Sequence, residues 1–271
     1  MSALRWDDWE QHEGLWRAPR HIRLAPPIVA AVAPVGTDGH TECTASGTAV
    51  TSALPTGFTF NGTQLCLLEV SHGSGASNTT ITTPAGWTLL TQPAGASTRL
   101  PVFWRFLQSG DTAPSFTLGT SRFWCTHATA FSGVDTGSPI NQSSALDYAA
   151  ATSYASASIT PSVDNCMIVV CWGGKTASGV TQTVTIPSPW TDTTGGTTPS
   201  PTTPNQSAVA ASTNQWATFQ YLLQAGAAAV SESVTVGSSA TAESYILALK
   251  PAAAAAAAKP PLPVSQYSGR W

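Results

Sequence analysis

The sequence predicts an all-β fold: an internally duplicated antiparallel β-sandwich, jelly-roll-like and of about ten strands, with an extended N-terminal arm and a C-terminal tail. Three observations lead there. Between residues 41 and 250, short apolar runs alternate with clusters of Gly, Pro, Asn and Ser, the pattern of strands separated by turns, and no long helical period interrupts them. The 11 basic and 14 acidic residues make up only 9% of the 271-residue chain, against roughly 25% in typical soluble domains. The solvent faces must therefore carry Ser and Thr, which suit a pleated ladder better than a helix interior. Finally, the strand-rich segment matches itself.

The self-match runs through four blocks in the same order. The run from Gln64 through Cys66 to Gly73 matches that from Asn165 through Cys166 to Gly173, and Thr82-Thr83-Pro84-Ala85-Gly86-Trp87-Thr88 matches Thr185-Ile186-Pro187-Ser188-Pro189-Trp190-Thr191. The segment from Val102 to Gly110 matches that from Thr218 to Gly226, and Phe116 to Gly119 followed by Thr126 to Phe131 matches Val234 to Gly237 followed by Ser244 to Leu249. The offset grows from 100 to 118 residues, with the insertions in the Thr/Gly/Pro stretch at 191–204, where a loop absorbs length. The halves, about 41–140 and 155–250, give either one large sandwich or two small ones packed together. The single sandwich is favoured because each half alone buries little apolar surface and the 135–160 connection is not a clean flexible linker.

Residues 1–40 form a docking arm whose composition breaks sharply from the rest. Arg5, Asp7, Asp8, Glu10, Glu13, Arg17, Arg20 and Arg23 crowd its first 24 positions, with Trp6, Trp9 and Trp16 among them. The Trp6/Trp9 spacing places both indoles on one face of a short helix. Residues 251–271 hold Pro251, seven alanines, a Lys259-Pro260-Pro261 stretch and an aromatic end, which reads as a linker and tail. Aromatic anchors interleaved with arginines are what protein interfaces enrich. Trp6, Trp9, Trp16, Arg17, Arg20, Arg23, Tyr267, Arg270 and Trp271 are therefore the expected interface residues.

The core shows little chemistry. A net charge of -3 offers no basic stripe for nucleic acid. The apolar run at 28–35 is short and broken by prolines, and no charged leader precedes an apolar segment, so neither a membrane span nor export is expected. The five cysteines, Cys43, Cys66, Cys125, Cys166 and Cys171, lack metal spacing and read as buried small hydrophobes. No histidine pair has ligand spacing, so no metal or cofactor is expected. His72 reads as a loop polar group and His127 as a hydrogen-bonded sheet residue. Glu69 with Asp111 is the least unfavourable carboxylate pair for a glycosidase, but Asp111 looks like a turn residue, and the chain is expected not to be an enzyme. Asn61, Asn78, Asn141 and Asn205, each in an Asn-x-Ser/Thr triplet, are read as turns. Trp87 and Trp190 hold equivalent packing positions, and Trp124 and Trp216 are core or sheet-face residues. Trp104 and Trp172, also strand residues, are the candidates for stacking on a glycan.

The segments Thr83-Pro84-Ala85-Gly86-Trp87-Thr88, Gln108-Ser109-Gly110-Asp111 and Phe131-Ser132-Gly133-Val134-Asp135 resemble the PxGWT, sGD and fsGvD pattern of accessory virion proteins of tailed bacteriophages, especially those of actinobacterial hosts. The resemblance covers about residues 60–140 and echoes in the second half. It implies a virion protein assembled in the host cytoplasm: a capsid decoration or minor capsid protein that cements neighbouring shell subunits through its termini, or alternatively a minor tail or fibre adhesin binding a host surface glycan. The implied partners are other virion proteins, the major capsid protein first among them, and further copies of the chain, a trimer being one candidate.

Overall fold

The computed structural model describes residues 10–12, 15–17, 31–43, 45–73, 80–90, 98–192, 201–202, 205–206 and 213–253. They fall into two units, Met1–Val29 with Ala254–Trp271, and Ala30–Ala253. In the first, β1 (Glu10–His12) and β2 (Leu15–Arg17) pair as an antiparallel hairpin. The helix expected at Trp6 and Trp9 lies outside the described residues, and the described part of the arm is strand.

Among its described residues the second unit has no helix and is built from strands and the turns between them. Its first half contains β3 (Ala33–Glu42), β4 (Gly47–Thr51), β5 (Leu65–Gly73), β6 (Thr88–Leu89), β7 (Thr98–Arg99), β8 (Val102–Phe106), β9 (Ser115–Arg122) and β10 (Trp124–Ser132). The second half contains β11 (Ile140–Ala155), β12 (Cys166–Ser178), β13 (Val184–Thr185), β14 (Thr191–Asp192), β15 (Pro201–Thr202), β16 (Asn205–Gln206), β17 (Thr213–Gln224) and β18 (Ser233–Leu249). The compact unit thus begins at Ala30 rather than at residue 41, because β3 pairs along β10. Likewise the second half begins at Ile140, because β11 pairs along β18. Neither strand stands out in the sequence, since β3 mixes Gly and Thr with Pro, Asp, His and Glu, and β11 is rich in Ser and Ala.

The duplication recurs in the wiring. The first half's main sheet runs β3-β10-β5-β8-β6, and the second half's contains the same order, β11-β18-β12-β17-β14. Each main sheet is covered on one face by a small sheet. In the first half this is β4 with β9, joined by the Ile81–Leu118 bridge. In the second it is the far ends of β11 and β18 with β13 and β15. First strand beside last in one sheet, second beside last-but-one in the other, is jelly-roll wiring. Matching backbone bonds recur as well: Gly119 N donates to Thr80 O at 2.9 Å and Gly237 N to Thr183 O at 2.9 Å. The Pro-x-x-Trp turns close alike, Trp87 N donating to Pro84 O at 3.1 Å and Trp190 N to Pro187 O at 3.0 Å. Gly86, at φ 79°, supplies the left-handed residue that the first of these turns requires.

Three hydrophobic layers result. Cys66, Leu68 and Val70 point into the first half's own core with Trp87, Phe103 and Phe116. Cys166, Ile168, Val170 and Trp172 point into the second half's core. The alternate residues, Leu65 and Leu67, meet Met167, Val169, Phe219 and Leu247 in a central layer between the two main sheets. Across that layer β5 lies against β12 and β17, β10 against β17, and β7 against β12 and β18. The large sandwich favoured from the sequence is this central pair of sheets, and each half is in addition a small sandwich of its own. Strands buried on both faces read as continuous apolar runs, as β5 and β12 do. Strands covered on one face alternate, as β9 does in its burial pattern.

Because β5 and β12 belong to two layers each, the halves are expected to unfold together. Leu67→Ala should cost about 2–5 kcal/mol and lower the midpoint of a single calorimetric transition. Two resolved transitions, only one of them shifted, would show that the halves unfold separately.

Candidate functional site

Among the described residues, a group of ionisable side chains gathers at one end of the central layer. Strand register places Glu69 of β5, His127 of β10 and His40 of β3 side by side. His127 Nε2 is 2.8 Å from Asp38 Oδ2, and its Nδ1 is 3.7 Å from Glu69 Oε1. Both Glu69 oxygens are buried and neither has a hydrogen-bond partner. Burial, reinforced by the nearby Asp38 and Asp192 carboxylates, holds the Glu69 carboxyl well above its ordinary pKa and favours its neutral acid form.

An imidazole between two carboxyl groups can orient a proton, but this one is closed off. The His127 side chain is fully buried, and its ring sits 4.8 Å from that of Phe219 on the opposite sheet. The polar groups around it tie the halves together instead. Leu100 N donates to Glu243 Oε2 at 2.7 Å, Thr98 Oγ1 to Gln215 Oε1 at 3.2 Å, and Ser71 Oγ to Gly174 O at 3.5 Å. His127 is therefore the sheet residue the sequence suggests. His72 differs from expectation: it lies inside β5, fully buried, because the strand continues to Gly73. Burial lowers its pKa to about 4.

A second buried acid overturns one sequence expectation. Trp172 has no solvent exposure and donates its indole N–H to Glu232 Oε2 at 2.9 Å. It faces the second half's core, so it presents no surface to a glycan. Burial pushes the Glu232 carboxyl up to about 8, against the lowering effect of the Trp172 hydrogen bond. Trp104 is half-buried, packs against the central layer and meets Phe106 edge-on at 6.1 Å.

The carboxylate pair considered for hydrolysis is not a pair. Glu69 lies opposite Val102, whereas Asp111 lies in the turn beyond Phe106, the other end of the same ladder. Asp111 instead accepts from Arg105 at 2.5 Å and from Gln108 N at 2.7 Å. Asn61 caps a turn by accepting from Thr63 N at 3.0 Å, but Asn141 and Asn205 are strand residues and Asn78 lies outside the described residues. All five cysteines are buried, and none is in a disulfide. Among the described residues no cluster of three or more His, Cys, Asp or Glu has metal-binding geometry. A shallow depression of about 270 Å³ beside Lys175, Thr176, Ser239 and Thr241 is lined mostly by small side chains.

Of the expected interface residues, Trp16 and Arg17 lie on β2. Trp6, Trp9, Arg20, Arg23, Tyr267, Arg270 and Trp271 lie outside the described residues. The polar cluster at Glu69 and His127 went unread in the sequence, although a Glu inside the apolar run Leu65-Cys66-Leu67-Leu68-Glu69-Val70 was a visible anomaly. Compared with protein-family models, curated proteins and solved structures, the chain matches none.

Raised carboxyl pKa values set a direction for stability against pH. The folded state holds protons on Glu69 and Glu232 that the unfolded chain releases near pH 4.5, so stability falls as pH rises toward and through the folded pKa. His72 acts oppositely, but only below its ordinary pKa of 6.5. Urea unfolding from about pH 7 to about pH 9 should therefore show falling stability. Glu232→Gln, which keeps an acceptor for Trp172, should flatten part of that fall. An unchanged slope would mean that Glu232 is not protonated in the fold.

Proposed function

We propose that the chain is a non-enzymatic structural component of a tailed-bacteriophage virion, a capsid decoration or minor capsid protein. Its arm and tail anchor it to neighbouring shell subunits, the major capsid protein first, and its duplicated sandwich projects outward. The observation that carries this reading is the part played by the residues of the resemblance. Trp87 is a buried turn anchor, Asp111 ties the Gln108–Asp111 turn to Arg105 of β8, and Asp135 pairs with Lys250 at 2.8 Å between the halves' closing strands. A motif whose residues all hold turns and strand ends in place is what a structural protein needs.

Two further features support the reading. The jelly roll is an architecture used in capsid and lectin domains. The low charge and hydroxyl-rich strands leave a surface suited to packing among many copies. The adhesin alternative is weakened, since Trp172, half of its aromatic platform, is buried.

Imaging of intact particles tests the location: density for this protein on the shell is expected, and density confined to the tail tip would sink the decoration reading. Deleting residues 1–24 tests the anchor. Loss of the tryptophan and arginine contacts should cut the amount of protein recovered with particles about tenfold or more. Equal recovery of the truncated and full chains would show that the arm is not what attaches it.

A further inference from the structure

The two halves treat their equivalent sheet edges differently. In the first half, the outer edge of β3 is covered by the chain itself. Thr37 and Thr56 exchange backbone hydrogen bonds of 2.8 and 2.9 Å, and Ala53 N donates to Thr41 Oγ1 at 3.1 Å. The fit is close: a Cβ on Gly39 would sit 2.4 Å from Ala53 O. In the second half, β11 occupies the corresponding edge and, among the described residues, pairs with β18 alone. Ser162, which bonds the Asn141 side chain, touches only its start.

The open part of β11 is regular. Register breaks fall after Ile140 and after Tyr148, and between them residues 142–148 pair with β18 without interruption. This run has no proline, no bulge and no lysine, the devices by which natural proteins blunt an exposed edge. It carries a single charge, Asp147, and Leu146 beside it is 40% exposed.

We infer that this edge binds a second copy of the same chain, the two β11 strands pairing antiparallel about a two-fold axis at Ala145. The occupant follows from self-complementarity. Centring on Ala145 uses the whole regular run: Ala145 faces its own copy, Gln142 faces Tyr148, and Ser144 faces Leu146. Asp147 then falls opposite Ser143, whose hydroxyl can donate to it, at both ends of the pairing. Centring on Asp147 would instead oppose two carboxylates, which is destabilising. The bulges after Tyr148 end the ladder where β11 leaves the main sheet. A two-fold contact of this kind consumes both edges and closes on itself, so it gives a dimer rather than a filament. This holds whether or not the chain is a virion component.

The test uses the full chain. Sedimentation equilibrium is expected to show a reversible dimer. Ser143→Asp places carboxylate against carboxylate twice per dimer and should raise the dissociation constant about tenfold, whereas Ser143→Lys places an ammonium there and should not weaken it. Ala145→Cys should yield a covalent dimer with a short thiol-bridging reagent, because directly opposed Cβ atoms lie about 4.5–5.5 Å apart. A chain that stays monomeric at every concentration, equal association of the two Ser143 variants, or no cross-link at position 145 in a folded variant would each overturn the inference.

Discussion

The central layer is the constraint on which the rest depends. β5 and β12 give one face to their own half's core and the other to the opposing half. Neither small sandwich could leave its main sheet open, because an exposed row such as Leu65, Leu67, Val102 and Phe131 is apolar surface that water expels. Sheet on sheet, the halves satisfy each other, and the small outer sheets then need only one buried face. Gly173 marks how close the approach is. A Cβ there would lie 2.4 Å from Leu100 Cδ1 and 3.2 Å from Ser71 Cβ, so a glycine sits where the two sheets come into close contact.

The same layer is not uniformly apolar, and its polar end has a different role. Burying Glu69 without a hydrogen bond costs free energy, and replacing buried ionisable clusters by well-packed apolar groups is often neutral or stabilising. The cluster is thus a poor explanation of stability. It is a better explanation of register. Apolar faces slide against each other at little cost, whereas the bond from Leu100 N to Glu243 and that from Thr98 to Gln215 each fit one alignment of the sheets. The shared layer supplies the cohesion, and the polar end selects a single arrangement.

Most of the fold was legible from Thr41 to Lys250 because the signals there are local. Runs buried on both faces, Pro-x-x-Trp turns and the repeat itself are all short-range patterns. What escaped was long-range. β3 mixes Gly and Thr with Pro, Asp, His and Glu, β11 is rich in Ser and Ala, and only their partners β10 and β18 make them strands. The match of Val102 to Thr218 was also misplaced: Val102 faces the central layer, while Thr218, opposite Trp172 in the ladder, faces the second half's core. A one-residue slip reverses every side chain, and sequence similarity between two alternating strands does not resolve it. Trp172 was misjudged for the same reason, since whether a strand tryptophan points inward depends on which layer covers that face. The candidate site was less legible still, because Asp38, Glu69 and His127 come together only through pairing across three strands.

Duplication followed by divergence also bears on where binding can occur. Once the two main sheets are committed to each other, the broad faces that a lone jelly roll would offer are gone from both halves. Of the described strands in this unit, the two small sheets and the strand edges remain outside that layer. Residues 53–56 close the first half's edge, and among the described residues nothing pairs along the equivalent edge of its copy. Equivalent interior positions have diverged in chemistry too, with His72 in one half and Trp172 bonded to Glu232 in the other. Identical wiring thus tolerates different interiors and different edges, because the shared central layer already fixes both halves. The features that the repeat does not share are the edge strand β11 and the charged, tryptophan-bearing arm.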